Sequence, residues 1–157
     1  MLFLIMALHL SSCATLSPNG VGRVKRYTYA DEAVPCGFDE YKIAFISDLH
    51  YPSLFTHKRL EKLVRRLKSE NADILLLGGD YVTSDDYLNE LFDALAAVKP
   101  VDGVFAVLGN HERRYKEGAL QAMEDFDIVL LADSVVSINR ASDSIYLAGI
   151  YDSFVYD

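Results

Sequence analysis

Apolar residues in this chain occur as short unbroken runs and as stripes at helical spacing, and the two alternate. The run Lys-Ile-Ala-Phe-Ile-Ser at 42–47 is rich in strand formers. Residues 57–70 then place Leu60, Leu63, Val64 and Leu67 on one side of a helix, with charges between them. Asn71-Ala72-Asp73 closes that helix, and Ile74-Leu75-Leu76-Leu77 is a second buried strand. Thr83 and Ser84 supply caps for a helix with the stripe Leu88, Leu91, Phe92 and Leu95, ended by Lys99-Pro100. Val104–Leu108 is a third strand, Ala119–Phe126 a further helix, and Ile128–Leu130 a short strand. Val135–Asn139 and Ile145–Gly149 form a hairpin. Uninterrupted apolar strands separated by helices predict an α/β fold: a βαβαβ unit with parallel strands, right-handed crossovers and helices on its faces, then the hairpin.

The amino terminus follows neither rhythm. Residues 1–10, MLFLIMALHL, hold nine apolar residues and one His. The run is too short to span a bilayer, which takes about 20 residues, but it has the length of a signal-peptide apolar region. Leu10-Ser11-Ser12-Cys13 follows and resembles a bacterial lipobox, in which the cysteine is lipidated. No Lys or Arg precedes the run, whereas Arg23, Lys25 and Arg26 come after it, the reverse of a normal signal peptide and an order that would keep the body of the protein cytoplasmic. Residues 1–22 are therefore expected to be a signal-like, lipoprotein-like or anchor leader, and residues 23–157 the globular part. Membrane association is expected through the leader or a lipidated Cys13, with the side of the membrane left open.

Composition narrows the remainder. The chain has 157 residues, 51% of them hydrophobic, with a net charge of −8. Such acidity lacks the electrostatic footprint of a general nucleic-acid binder. The two cysteines, Cys13 and Cys36, are too few for a disulfide scaffold, and Cys36 reads as a free, partly buried thiol.

Candidate chemistry sits where each strand ends. Asp48-Leu49-His50 follows the first strand, Gly78-Gly79-Asp80 the second and Gly109-Asn110-His111-Glu112 the third. The steps from Asp48 to Asp80 and from Asp80 to Asn110 are 32 and 30 residues, each close to one strand–helix–strand unit. Parallel strands repeating at that interval bring their carboxyl ends, and hence Asp48, His50, Asp80, Asn110 and His111, to one rim. Hard oxygen donors mixed with imidazole suit Mn²⁺, Fe²⁺ or Zn²⁺. Neither a Gly-rich dinucleotide fingerprint nor a phosphate-binding P-loop is present. Arg113 and Arg114 read as a solvated pair that can also meet a phosphate. Tyr81 reads as a strand-end aromatic, able to stack only on a ringed substrate.

This constellation resembles the calcineurin-like metallophosphoesterase superfamily, whose opening motifs are D-x-H, G-D and G-N-H-[DE]. The resemblance covers roughly residues 40–150. The segments ISDLHY, LLLGGDYV and VFAVLGNHE look most like membrane-associated bacterial phosphodiesterases related to UDP-diacylglucosamine pyrophosphohydrolases. It implies a layered metallophosphoesterase fold and a centre of two divalent ions hydrolysing a phosphodiester or pyrophosphate, with a phosphate-ester substrate that can be lipid-linked. Asp48 and His50 would then serve the first metal, Asp80 the bridge and Asn110 the second metal. His111 would be the catalytic residue beside the scissile phosphate.

The chain departs from the pattern downstream. The family closes with a lone His and then Gly-His-x-His, and no histidine follows His111 here. His9 lies in the leader and His57 opens the first helix as a solvated residue. The expectation is an amino-terminal portion of the domain, able at least to bind one ion weakly through Asp48, His50 and Asp80, with apolar sheet surface left exposed. The competing expectation is a non-catalytic remnant acting as a weak metal-binding or partner-binding module.

Overall fold

The computed structural model describes residues 20–150 together with the backbone of residues 3–7. Its strands are β1 (Phe3–Ala7), β2 (Tyr27–Tyr29), β3 (Lys42–Ile46), β4 (Ile74–Leu77), β5 (Val104–Ala106), β6 (Ile128–Leu130), β7 (Ser134–Arg140) and β8 (Asp143–Gly149). Its helices are α1 (His57–Glu70), α2 (Leu88–Ala96) and α3 (Lys116–Asp125). Phe3–Ala7, within the leader-like run, is thus a strand paired with β2 and β3. Cys13 and the lipobox-like segment lie outside the described residues. Among the described residues no helix is long and apolar enough to cross a membrane.

The main sheet runs β2-β1-β3-β4-β5-β6, with β2 antiparallel and all other pairs parallel. From β3 to β6 each strand is added on the same side of the one before. A right-handed crossover repeated in one direction puts every helix on the same face. The expected helices on both faces are accordingly corrected: α1, α2 and α3 share one. Period-two alternation divides the strands to match. Ala44, Ile46, Leu75, Leu77 and Ala106 pack with Leu63, Leu91, Phe92 and Met123 of the helices.

The opposite face is covered by the antiparallel pair β7–β8 and a 3-10 turn at Cys36–Phe38. Phe45, Leu76 and Phe105 stand in register across three strands on that face. Phe38, Tyr41, Ile74, Phe105, Leu131 and Ile138 form its buried cluster. The expected exposed sheet surface is therefore closed over the central strands, and large exposed hydrophobics remain on the edge strands, at Tyr27, Tyr29 and Val129, and on the hairpin, at Val135 and Tyr146. Arg140 ends β7 and ties the hairpin down: Nη2 bonds Asp73 Oδ1 at 2.7 Å and Asp102 Oδ2 at 3.0 Å. Its guanidinium lies 4.6 Å from the Tyr41 ring centroid.

Local sequence accounts for the element ends. Asn71 terminates α1 in the left-handed conformation, φ 48°, which asparagine tolerates better than most residues. Thr83 and Ser84 do not cap α2. A 3-10 turn at Asp85–Tyr87 intervenes, and the Ser84 hydroxyl bonds the Asp86 carboxylate at 3.1 Å. Cys36 is exposed rather than partly buried, because its turn stands at the surface.

Candidate metal centre

Beyond their last residues, β3 and β4 keep pairing through the loops. Asp48 N–H donates to the Gly79 carbonyl at 3.0 Å, His50 N–H to Asp80 at 3.0 Å and Tyr51 N–H to Tyr81 at 2.9 Å. A further parallel bridge joins Tyr51 to Val82. This continuation fixes two short loops that would otherwise be free to move. It also demands unusual backbone: Asp48, His50 and Asp80 have φ of 57°, 45° and 56°. Left-handed conformations in non-glycine residues cost about 1 kcal/mol or more each and gather where geometry is functional.

Alternation then sorts the side chains. Asp80 faces the rim while Tyr81, the next residue, drops into the core at 1% exposure. The Tyr81 hydroxyl donates to the carbonyls of Leu77 and Val107, and burial first, then the charge of Glu112, pushes its pKa far up. Tyr81 is therefore a structural plug with no face to offer a substrate.

The loop after β5 arrives alongside. Gly79, at φ 92°, and Gly109 allow the approach: a Cβ on Gly79 would stand 2.5 Å from Gly109 N, and one on Gly109 2.3 Å from Asp80 Oδ1. The His111 N–H donates to Asp80 Oδ1 at 3.1 Å. The His50 and His111 rings meet edge to face with centroids 4.5 Å apart.

Together these contacts bring His50, Asp80 and His111 to one point, each with a ligand atom within 4.8 Å of the others. Ligands about 2.1 Å from a shared ion lie at most about 4.2 Å apart, so the trio closes on one divalent ion with a small adjustment. Two imidazoles and a carboxylate form a donor set for Zn²⁺, Fe²⁺ or Mn²⁺, and the residues present fit such an ion. His50 and Asp80 are half-buried and His111 is exposed. Of the other candidates, Asp48 is exposed on the same rim but is not one of the three. Asn110 is exposed and opens the 3-10 turn His111–Tyr115. Asn110 and His111 line a cavity of about 120 Å³ with Thr83, Arg114 and Tyr115. Tyr115 donates to the Val82 carbonyl, and its phenol is pushed up to about 12 by burial and the charges of Glu112 and Asp80. His57 lies on α1 rather than at the centre, exposed and 2.7 Å from Glu90.

One residue went unassigned from sequence. Glu112 has 0% exposure and is the buried charged residue of the described chain. Its Oε2 accepts the N–H groups of Asp80 and Gly109, each at 2.9 Å, and its Oε1 accepts that of Tyr81 at 2.9 Å. Burial pushes its carboxyl above the ordinary range, opposed by these three donors. The available signal was its place directly after Gly-Asn-His at the end of a buried strand.

The sequence profile of calcineurin-like phosphoesterases matches residues 41–153. An uncharacterised metallophosphoesterase of Aquifex aeolicus is 36% identical over 138 residues, covering 83% of this chain and 49% of that protein. The phosphodiesterase YaeI of Escherichia coli is 33% identical over 87 residues, 54% of this chain and 30% of its own length. A Danio rerio transmembrane protein with a metallophosphoesterase domain is 26% identical over 127 residues, 77% of this chain and 29% of its own. The chain spans about half the length, or less, of these curated relatives. No solved structure matches it significantly.

Proposed function

The chain belongs to the calcineurin-like phosphoesterase family, and from that premise we propose that its carboxyl rim is the metal centre of a hydrolase acting on phosphodiesters or pyrophosphates. The observation that carries this reading is the convergence of His50, Asp80 and His111 from three loops that the sheet sets side by side. Asp80, in the middle loop, would be the carboxylate shared between two ions, with Asp48 and His50 holding one of them and Asn110 the other. When bound, divalent ions supply positive charge for the phosphoryl oxygens and acidify water at neutral pH. A neutral imidazole has one lone pair, so His111 either ligates or handles a proton at the leaving oxygen, but not both at once. Its exposure at the rim supports contact with substrate. A lipid-linked phosphate ester and membrane association through the leader or Cys13 belong to the same proposal. They are supported by the lipobox-like Leu10-Ser11-Ser12-Cys13 and by the membrane protein among the relatives.

Hydrolysis of bis-p-nitrophenyl phosphate with and without Mn²⁺ tests the reading. Mn²⁺-stimulated turnover, removed by chelator and by Asp80→Asn, is the expected result; turnover indifferent to both sinks it. A second reading, a single-ion module without turnover, is favoured by the one three-residue cluster among the described residues. Calorimetric titration separates the two, since turnover with two ions per chain excludes the module.

A further inference from the structure

A buried carboxylate needs a reason, because removing a charge from water is costly and an apolar side chain would fill the space more cheaply. Glu112 is such a group, with no ion pair among the described residues. Its three partners are backbone N–H groups drawn from two loops: Asp80 and Tyr81 after β4, and Gly109 after β5. Charge-assisted hydrogen bonds of this kind are short and directional. One side chain therefore fixes the backbone on either side of the contact through which Asp80 Oδ1 receives the His111 N–H. The same two loops touch so closely that neither Gly79 nor Gly109 has space for a Cβ.

We propose that Glu112 is the positioning residue of the centre, a clasp that sets Asp80 and His111 in ligand register before any ion arrives. It touches neither ion nor substrate and acts through the backbone of residues that do. Without the clasp the two loops remain joined by the His111–Asp80 bond and by the Tyr81 and Tyr115 hydroxyls, none of which holds the Asp80 and Gly109 amides, and the ion has to order that backbone as it binds. Its negative charge, placed behind Asp80, also favours a cation at the rim. The proposal rests on the metal-centre reading above.

Glu112→Gln tests it. The amide offers one oxygen acceptor and turns an N–H₂ toward the remaining backbone donor, so the clasp loses at least one of its bonds while volume is kept. The control is Leu91→Ala, a deletion of a fully buried α2 side chain that is none of the residues of the cluster or the clasp. Mn²⁺ titration calorimetry on the folded full chain, with thermal melting alongside, is expected to show tenfold or greater weakening for Glu112→Gln. Leu91→Ala should melt earlier yet take up Mn²⁺ like the unaltered chain. Equal Mn²⁺ affinity for Glu112→Gln and the unaltered chain overturns the proposal. So does equal weakening in both variants, which would make the effect one of general stability. Amide hydrogen exchange without ion provides an independent arm: the Asp80, Tyr81 and Gly109 amides should exchange faster in Glu112→Gln alone, and unchanged exchange there overturns the clasp. An unaltered chain that takes up no Mn²⁺ refutes the metal-centre reading instead, while accelerated exchange at those three amides still upholds the clasp between the loops.

Discussion

At the amino edge of the parallel sheet, Asp73 stands just before β4 and Asp102 just before β5, and both give their carboxylates to Arg140. At the carboxyl edge, Asp80 follows β4 in a left-handed conformation and shares its surroundings with two imidazoles. The first edge spends its charges on one another and joins the hairpin to the sheet. The second keeps a carboxylate and two rings near a common point and is tied together by Glu112 and by the Tyr81 and Tyr115 hydroxyls. Complete pairing at one edge and convergent, unneutralised donors at the other are what a scaffold and a site each require.

The sharpest way to break this contrast is at Gly109. Gly109→Ala forces a methyl against Asp80 Oδ1 and against Asp80 N, 2.6 Å away. Overpacking of this kind is expected to cost about 3 kcal/mol. Because it pries apart the two ligand loops, thermal stability and Mn²⁺ uptake should fall together; loss of only one would show that the loops are not one unit. Next comes Arg140→Met, which takes the guanidinium from two part-buried carboxylates at about 2 kcal/mol. Chemical denaturation should register that loss while calorimetry finds Mn²⁺ affinity unaltered. Weakened ion uptake would mean that the amino edge also shapes the site.

The smallest effect lies on α1. Burial raises the Glu70 carboxyl, but hydrogen bonds from Arg26 and Arg66 outweigh it, so the group sits below its ordinary value of 4.5. A depressed carboxyl contributes stability above its unfolded pKa and loses it as pH falls through the folded value. Glu70→Gln should therefore melt slightly earlier than the unaltered chain near neutrality, by about 0.5 kcal/mol, with the two converging as acid protonates the lowered carboxyl. A gap that persists in acid would assign the effect to packing rather than charge.

Strands and helices were legible because their periods are distinct. The stripe Leu60, Leu63, Leu67 and the run Ile74–Leu77 became α1 and β4 where the pattern placed them. The three loop motifs were legible because a fixed interval between parallel strands translates into proximity. Which side chains converge was not, since the left-handed turns at His50 and Asp80 decide where each points, and no periodicity encodes them. The shared face of the helices depends on the direction in which strands are added, which a linear pattern does not carry. Glu112 was hidden for a third reason. A glutamate beside two arginines has the signature of a solvated surface, and only the backbone donors of remote loops turn it inward.

The left-handed residues at the rim carry a consequence for anyone who redesigns this chain. Replacing Asp48, His50 or Asp80 by glycine relieves a backbone penalty of about 1 kcal/mol at each position. A procedure that scores only thermal robustness would drift toward those replacements, and each one would delete a candidate donor. Improvement by melting temperature alone would proceed smoothly toward an inert protein. Useful stabilising changes must be sought elsewhere, on the outer surface of the hairpin at Val135 and Tyr146, where no proposed donor stands.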